Sequence, residues 1–134
     1  MTTDLPDQLR RRQADMLAAI ARFAERLDPE GGAHGYRDAE SDLGRRLQAY
    51  QDFKHGEIFD PAITSGSPWR EEAGRRLKQD CLAGGERFRR EVGRWRDAEV
   101  DALRPAMRAL SRDLHDHVVA EVVQIRLLLA ERAG

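Results

Sequence analysis

Apolar residues recur at spacings of three and four along most of the chain, which is typical of amphipathic helices. The first set of spaced positions is Leu9, Gln13, Met16, Ile20, Phe23 and Leu27. Asp28-Pro29 follows directly and ends this predicted helix. The stretch from Asp28 to Gly35 holds one proline and three glycines, so we expect a connection that reverses the chain direction.

A second amphipathic segment is predicted to begin near Tyr36. Its spaced positions are Leu43, Leu47, Tyr50, Lys54 and Ile58. We expect it to stop at Pro61, because proline lacks an amide hydrogen and disfavours helical geometry in the residue before it. The next stretch, Ile63 to Pro68, is typical of a turn followed by a helix start, with Ser67 as N-cap and Pro68 at the first helical position.

The third segment has the clearest helical period. Its spaced positions are Ala73, Leu77, Cys81, Gly84, Phe88, Val92 and Trp95. Cys81 is therefore predicted to lie in the core. Gly84 and Gly85 fall in mid-helix, where glycine costs roughly 1 kcal/mol relative to alanine, and this favours close approach of a neighbouring helix at that point.

The last predicted helix runs from about Asp101 to Glu131, with Pro105 tolerated in its first turn. Its inner positions are Leu103, Met107, Leu110, Leu114, His117, Glu121 and Leu128. Four amphipathic helices with short connections predict an all-α fold, an antiparallel up-down four-helix bundle formed by residues 1–134 as a single domain.

The amino-acid composition argues against two classes of binding partner. The 23 lysine and arginine residues, of which only Lys54 and Lys78 are lysine, are balanced by 24 acids. No strong positive field is therefore expected, and neither nucleic acid nor membrane is a predicted partner. Cys81 is the single cysteine, which favours a reducing cytoplasm, and Met1 to Arg12 has no apolar run of signal-peptide length.

Two polar residues interrupt the inner stripe of the last helix. His117 and Glu121 lie four residues apart, so their side chains share one helix face. Helical bundles build metal sites from such inward histidines and carboxylates. In the alternative, a slightly rotated helix places Val118, Val122 and Ile125 inward and leaves both polar residues at the rim.

A second candidate set lies near the end of helix two. His55 follows Gln51 by about one turn and Glu57 is close by, so His55 could face the interior; an exposed histidine near a helix end is the alternative. His115 falls off the inner stripe and His34 lies in the glycine-rich connection. No nucleophile-base set and no phosphate-binding glycine loop is present, so an enzyme is not predicted.

Three stretches carry a resemblance to a known family. HGEIFDPAI from His55 to Ile63 resembles the helix-two ending of hemerythrin-like (HHE cation-binding) proteins, in which a histidine and an acid precede a proline. The residues that follow, ITSGSPWREEAGRRL to GGERFRREVGRW, look like the third helix of bacterial members. LHDHVVAEVVQIRLLL is similar to the family's final His-x-x-x-Glu helix. The resemblance covers about Leu9 to Leu129 and implies iron binding with a role in oxygen, nitric oxide or redox sensing.

The chain departs from the family's di-iron ligand set. Helix one has Gln13-Ala14 where the family has Gln-His, and the third helix supplies no histidine. The ligands that the resemblance leaves for a single iron or similar ion are His55, Glu57, His117 and Glu121. The alternative is a metal-free bundle that serves as a protein-interaction or regulatory module and binds either another protein or a second copy of itself. Its expected contact points are Trp69, Trp95 and the surface from Val118 to Leu129.

Overall fold

A computed structural model describes the backbone of residues 4–27, 32–94 and 100–133, and the side chains of residues 4–27, 38–94 and 104–130. Within these ranges the regular structure is entirely helical. The all-α class is therefore confirmed. The predictions made for Asp28-Pro29 and for the side chains of His34, Trp95 and Leu103 lie outside the described residues.

Four long helices and one short helix follow in chain order. They are α1 (Leu5–Arg26), α2 (Gly32–Lys54), α3 (Asp60–Ile63), α4 (Pro68–Arg94) and α5 (Val100–Ala133), and a π-helical segment, His55–Phe59, joins α2 to α3. The Asp4 carboxylate caps α1 by accepting a hydrogen bond from the Asp7 amide at 2.9 Å. Helix α4 begins at Pro68, as predicted.

Helix α2 begins at Gly32, four residues before the expected start at Tyr36. The glycines were expected to form a loop because each one raises the free energy of a helix. That cost is only about 1 kcal/mol per glycine, and the packing of a long amphipathic helix can exceed it. The helical turn therefore extends into the glycine-rich stretch.

The prediction that the second helical segment stops at Pro61 is wrong, because the chain stays helical to Ile63. The π-helical segment His55–Phe59 lies just before the proline, and the Asp60 amide donates to the His55 carbonyl five residues back. A wider turn relieves the clash that a proline ring makes with the preceding helical turn. In α5, Pro105 lies in the second turn rather than the first.

The long helices contact each other in a closed order. Helix α1 packs against α2 and α5, while α4 packs against α5, α2 and the short α3. The apolar positions of the four predicted stripes are buried where their side chains are described, except Val92, which is partly exposed. Cys81 is among the buried residues, as expected.

Two glycines fix how α3 leads into α4. Gly66 has a φ of +84°, in the left-handed region that glycine adopts without steric cost, and so allows the tight turn. A Cβ atom at Gly74 would come within 3.0 Å of the Ala62 Cβ and 3.3 Å of the Phe59 carbonyl oxygen. Helix α4 therefore lies directly against the π-helical segment and α3, next to the end of α2.

Candidate functional site

A buried ion pair joins the end of α2 to the middle of α5. The Lys54 Nζ atom lies 2.7 Å from Glu121 Oε1, and the two side chains are only 2% and 3% exposed. Removing an ion from water costs several kcal/mol, so charges at this depth must neutralise each other. This pair is the most unusual chemistry among the described residues and defines the candidate site.

Tyr50 and Gln51 complete the α2 side of the site. The Lys54 ammonium lies 4.2 Å from the centre of the Tyr50 ring, in cation–π contact. The Gln51 amide donates a hydrogen bond to the Cys81 carbonyl of α4 at 3.0 Å. A Cβ atom at Gly85 would overlap this amide. Gly85 therefore makes room for the Gln51 side chain and not, as predicted, for the backbone of a neighbouring helix.

Glu121 is buried, whereas His117 lies at the rim of the site. The His117 Nε2 atom is 3.7 Å from Glu121 Oε2, too far for a hydrogen bond, and the His117 side chain is 41% exposed. Val118 and Val122 are buried beside them. Helix α5 thus has the rotation of the alternative interpretation, but the long glutamate side chain still reaches the interior.

The ionisation of the site follows from its burial and its charges. Burial by itself would raise the pKa of Glu121. The neighbouring His117 ring and Lys54 ammonium lower it by more, so the pKa lies below its ordinary value. Burial raises the pKa of the Tyr50 hydroxyl and of the Cys81 thiol. Glu121 is therefore a carboxylate at neutral pH, while the phenol and the thiol keep their protons.

His55 and Glu57 lie on the π-helical segment. The His55 ring is partly exposed, with its centroid 5.5 Å from that of Phe59. Burial, followed by the nearby Lys78 and Lys54 ammonium groups, lowers the pKa of His55 and favours a neutral ring. Glu57 is exposed. Of the other predicted minor candidates, His115 is exposed on α5 beside Asp116.

The four predicted metal ligands do not come together as a set. Among the described residues, no group of three or more His, Cys, Asp or Glu side chains could hold a metal ion. Only His117 and Glu121 adjoin each other. The donor set does not fit a divalent cation, since the Glu121 carboxylate is already neutralised by an ammonium that would repel a second cation.

A cavity of about 90 Å³ adjoins the ion pair, between α2, α4 and α5. Its apolar lining residues include Leu47, Leu110, Leu114 and Val118, and its polar lining residues include Tyr50, Gln51, Lys54 and His117. The Tyr50 hydroxyl is buried and has no hydrogen-bond partner within the described ranges. The cavity is therefore lined by both apolar and polar side chains, and one of the polar ones is a tyrosine whose hydroxyl is unpaired.

The helical period places Lys54 on an inner stripe but does not assign it to a site. A lysine between Tyr50 and Ile58 on a buried helix face needs a buried anion, and Glu121 was already assigned to the interior. That charge match was the available signal. The hydrogen bond of Gln51 had no comparable signal, because it depends on the position of a carbonyl on another helix.

The fold and the site define an all-helical protein whose interior holds a lysine–glutamate pair beside a small cavity. Comparison with protein-family models, with curated proteins and with solved structures found no match for this chain. The similarity to the hemerythrin-like family rests on the stretches quoted above and stays a prediction. In the described part of the chain, no helix combines the length and apolar character needed to cross a bilayer.

Proposed function

We propose that this chain is a metal-independent, antiparallel four-helix bundle that acts as a protein-interaction module. The closed order of helix contacts, α1 with α2, α2 with α4, α4 with α5 and α5 with α1, supports the bundle arrangement. The short turn between α3 and α4 supports an antiparallel course for the helices that it joins.

The Lys54–Glu121 pair supports metal independence. In the helical metal sites that the resemblance implies, a cation neutralises the inward carboxylates. Here an ammonium does so at 2.7 Å. One observation favours the metal-binding alternative, because Glu121 Oε2 has no hydrogen-bond partner among the described residues and lies near His117. Two adjacent donors are too few for a stable iron site.

The observation that carries the interaction function is a row of apolar side chains on the outer face of α5. Val119, Val123 and Leu127 follow each other at intervals of four residues and are 44%, 60% and 60% exposed. Spacing of four keeps them on one helix face. Nothing in the described ranges covers them. Trp69 and Leu82, also exposed, lie on α4 and do not extend the row.

The binding partner that suits this outer face is the same α5 face of a second copy of the chain. In an antiparallel pairing of two α5 helices, residues that face each other have numbers with a constant sum. A register that sets Val119 opposite Val123 of the other copy therefore also sets Asp116 opposite Arg126. By symmetry this charged contact occurs at both ends of the interface. Both charged residues are exposed. A two-fold interface therefore repeats the same apolar and charged contacts twice. Three large apolar side chains suit a small, reversible interface, below about 1,200 Å² in total.

Sedimentation velocity over a concentration series tests this function. We expect the wild-type sedimentation coefficient to rise with concentration and the Val123→Arg variant to remain monomeric. Leu82→Arg, which places the same charge at an exposed leucine on α4, is the matched control and should associate like the wild type. A wild type that stays monomeric throughout, or two arginine variants that behave alike, would contradict the proposal.

A charge exchange tests the register of the pairing. Asp116→Arg should weaken association, since it brings two arginines together, and adding Arg126→Asp should restore it. Sedimentation of the single and double variants measures both effects. If the double variant associates no better than Asp116→Arg, the antiparallel register is wrong.

A further inference from the structure

The cavity beside the ion pair has a defined volume, and one of its lining residues has a hydroxyl group without a hydrogen-bond partner. It measures about 90 Å³, Tyr50 is one of its lining residues, and the Tyr50 hydroxyl is buried with no partner among the described residues. Buried hydroxyl groups in folded proteins are nearly always hydrogen-bonded. The phenol keeps its proton and is therefore a hydrogen-bond donor for an acceptor oxygen in the cavity.

The volume sets the size of the part of a ligand that the cavity can enclose. A cavity of roughly 150 Å³ accommodates benzene, with six non-hydrogen atoms, and water occupies about 30 Å³ per molecule in the liquid. By proportion, the present cavity holds about four non-hydrogen atoms or about three water molecules. Leu110, Leu114 and Val118 are among the lining residues, and their apolar side chains favour an aliphatic body over a chain of waters.

The charge of the site limits the chemistry of the partner. Lys54 and Glu121 already cancel each other, so a charged ligand would enter with no buried counter-ion. We propose that the cavity is a binding site for a small, uncharged molecule with one hydroxyl or carbonyl oxygen on a short aliphatic body, of the size of a three-carbon alcohol. Its oxygen accepts a hydrogen bond from the Tyr50 hydroxyl, and its carbons contact the leucine and valine side chains.

The entrance lies between α4 and α5. Arg87 and Asp113 line the cavity, form an ion pair at 2.7 Å and are each about half exposed. A surface ion pair of this kind is weak, so it can open without disturbing the core. A small ligand can therefore reach the cavity from solvent while the helices stay packed.

Methyl NMR of the full chain, titrated with 2-propanol, tests the site. We expect saturable shifts of the Leu110, Leu114 and Val118 methyl signals, with only linear drift at exposed Val123. Tyr50→Phe removes the hydroxyl and keeps the ring, and should weaken binding about tenfold, the value of one hydrogen bond. Gly84→Ala places a methyl group at the cavity wall, 3.9 Å from His117 Nε2 and without a clash, and should weaken binding several-fold.

Acetate is the charged counterpart of 2-propanol, with the same number of non-hydrogen atoms. We expect no saturable shifts with acetate. Equal binding of acetate would overturn the assignment of an uncharged ligand, and purely linear shifts with 2-propanol would show a cavity that holds water only. Unchanged affinity in Tyr50→Phe would also overturn the proposal. None of these outcomes depends on self-association through α5, because Val123 is on the opposite face from the cavity-lining residues.

Discussion

Lys54 is one of two lysines among 23 basic residues, and the structure buries it against Glu121. The other, Lys78, pairs with Asp60 at the same 2.7 Å but at the surface. The two pairs therefore separate the effect of depth from that of distance. A buried charge that loses its partner keeps its full desolvation cost, whereas an exposed one regains water.

At the residue scale we predict that Lys54→Met lowers the free energy of unfolding by about 3–5 kcal/mol, since Glu121 is left as an unpaired buried carboxylate. The double variant Lys54→Met/Glu121→Leu should recover most of this loss, because both charges are gone. Urea unfolding followed by circular dichroism measures each value.

Lys78→Met is the control for this comparison and should cost no more than about 1 kcal/mol. A loss for Lys54→Met as small as that of the control would show that the interior pair is not desolvated in solution. A double variant no more stable than Lys54→Met would show that the charges are not coupled.

The pKa of Glu121 gives a pH prediction. It lies below the ordinary value of 4.5, so the unfolded chain takes up the proton first as the pH falls. The pair's contribution to stability is therefore present above about pH 4.5 and is lost as the pH falls through the folded pKa. Unfolding free energies measured from pH 6 to pH 3 should fall more steeply for the wild type than for Lys54→Met/Glu121→Leu. Parallel curves would contradict this sign.

Residue identities alone indicated part of this site. The helical period placed Lys54 on an inner face and left Glu121 either inward or at the rim, and the structure buries both side chains. The period did not show that the two faces meet, because pairing between α2 and α5 depends on how the helices are ordered around the core. The hydrogen bond from Gln51 to Cys81 depends on the same tertiary arrangement.

At the element scale, the adjacent glycines of α4 have different roles. A Cβ atom at Gly84 would make ordinary contact with His117, whereas one at Gly85 would displace the Gln51 amide from its hydrogen bond. Gly84→Ala should raise the free energy of unfolding by up to about 1 kcal/mol through helix propensity. Gly85→Ala should be less stable than Gly84→Ala by about 1–3 kcal/mol, because buried polar groups lose their partners.

Urea unfolding of both alanine variants, repeated in a Gln51→Ala background, checks this assignment. Without the glutamine side chain the overlap at position 85 disappears, so the difference between the two variants should shrink to a few tenths of a kcal/mol. A difference that persists in that background would mean that Gly85 is required by something other than Gln51.

The helical period predicted the inner faces better than the helix ends. Leu43 and Leu47 are buried as expected, yet α2 starts before Tyr36 and the helical course continues past Pro61. Glycine and proline raise the local free energy of a helix by a limited amount. The helix continues through them where tertiary packing stabilises it by more than that amount. The π-helical turn before Pro61 has no sequence pattern of its own in this chain.

At the scale of the whole molecule, the interior is organised around a neutral ion pair and not around a group of metal donors. The residues that the hemerythrin-like resemblance assigns to iron are divided between the rim, the π-helical segment and the buried pair. Val119, Val123 and Leu127 are exposed on the outer face of α5, where we propose that a second copy binds. We therefore propose that this domain functions without a metal ion.

The metal content of the purified protein is the direct test of this metal independence. The protein would be produced with added iron, purified without an affinity tag or chelator, and measured by inductively coupled plasma mass spectrometry beside a His117→Ala variant. The proposed function predicts iron far below one equivalent per chain in both proteins. Near-stoichiometric iron in the wild type that disappears in His117→Ala would contradict it and restore the metal-binding function.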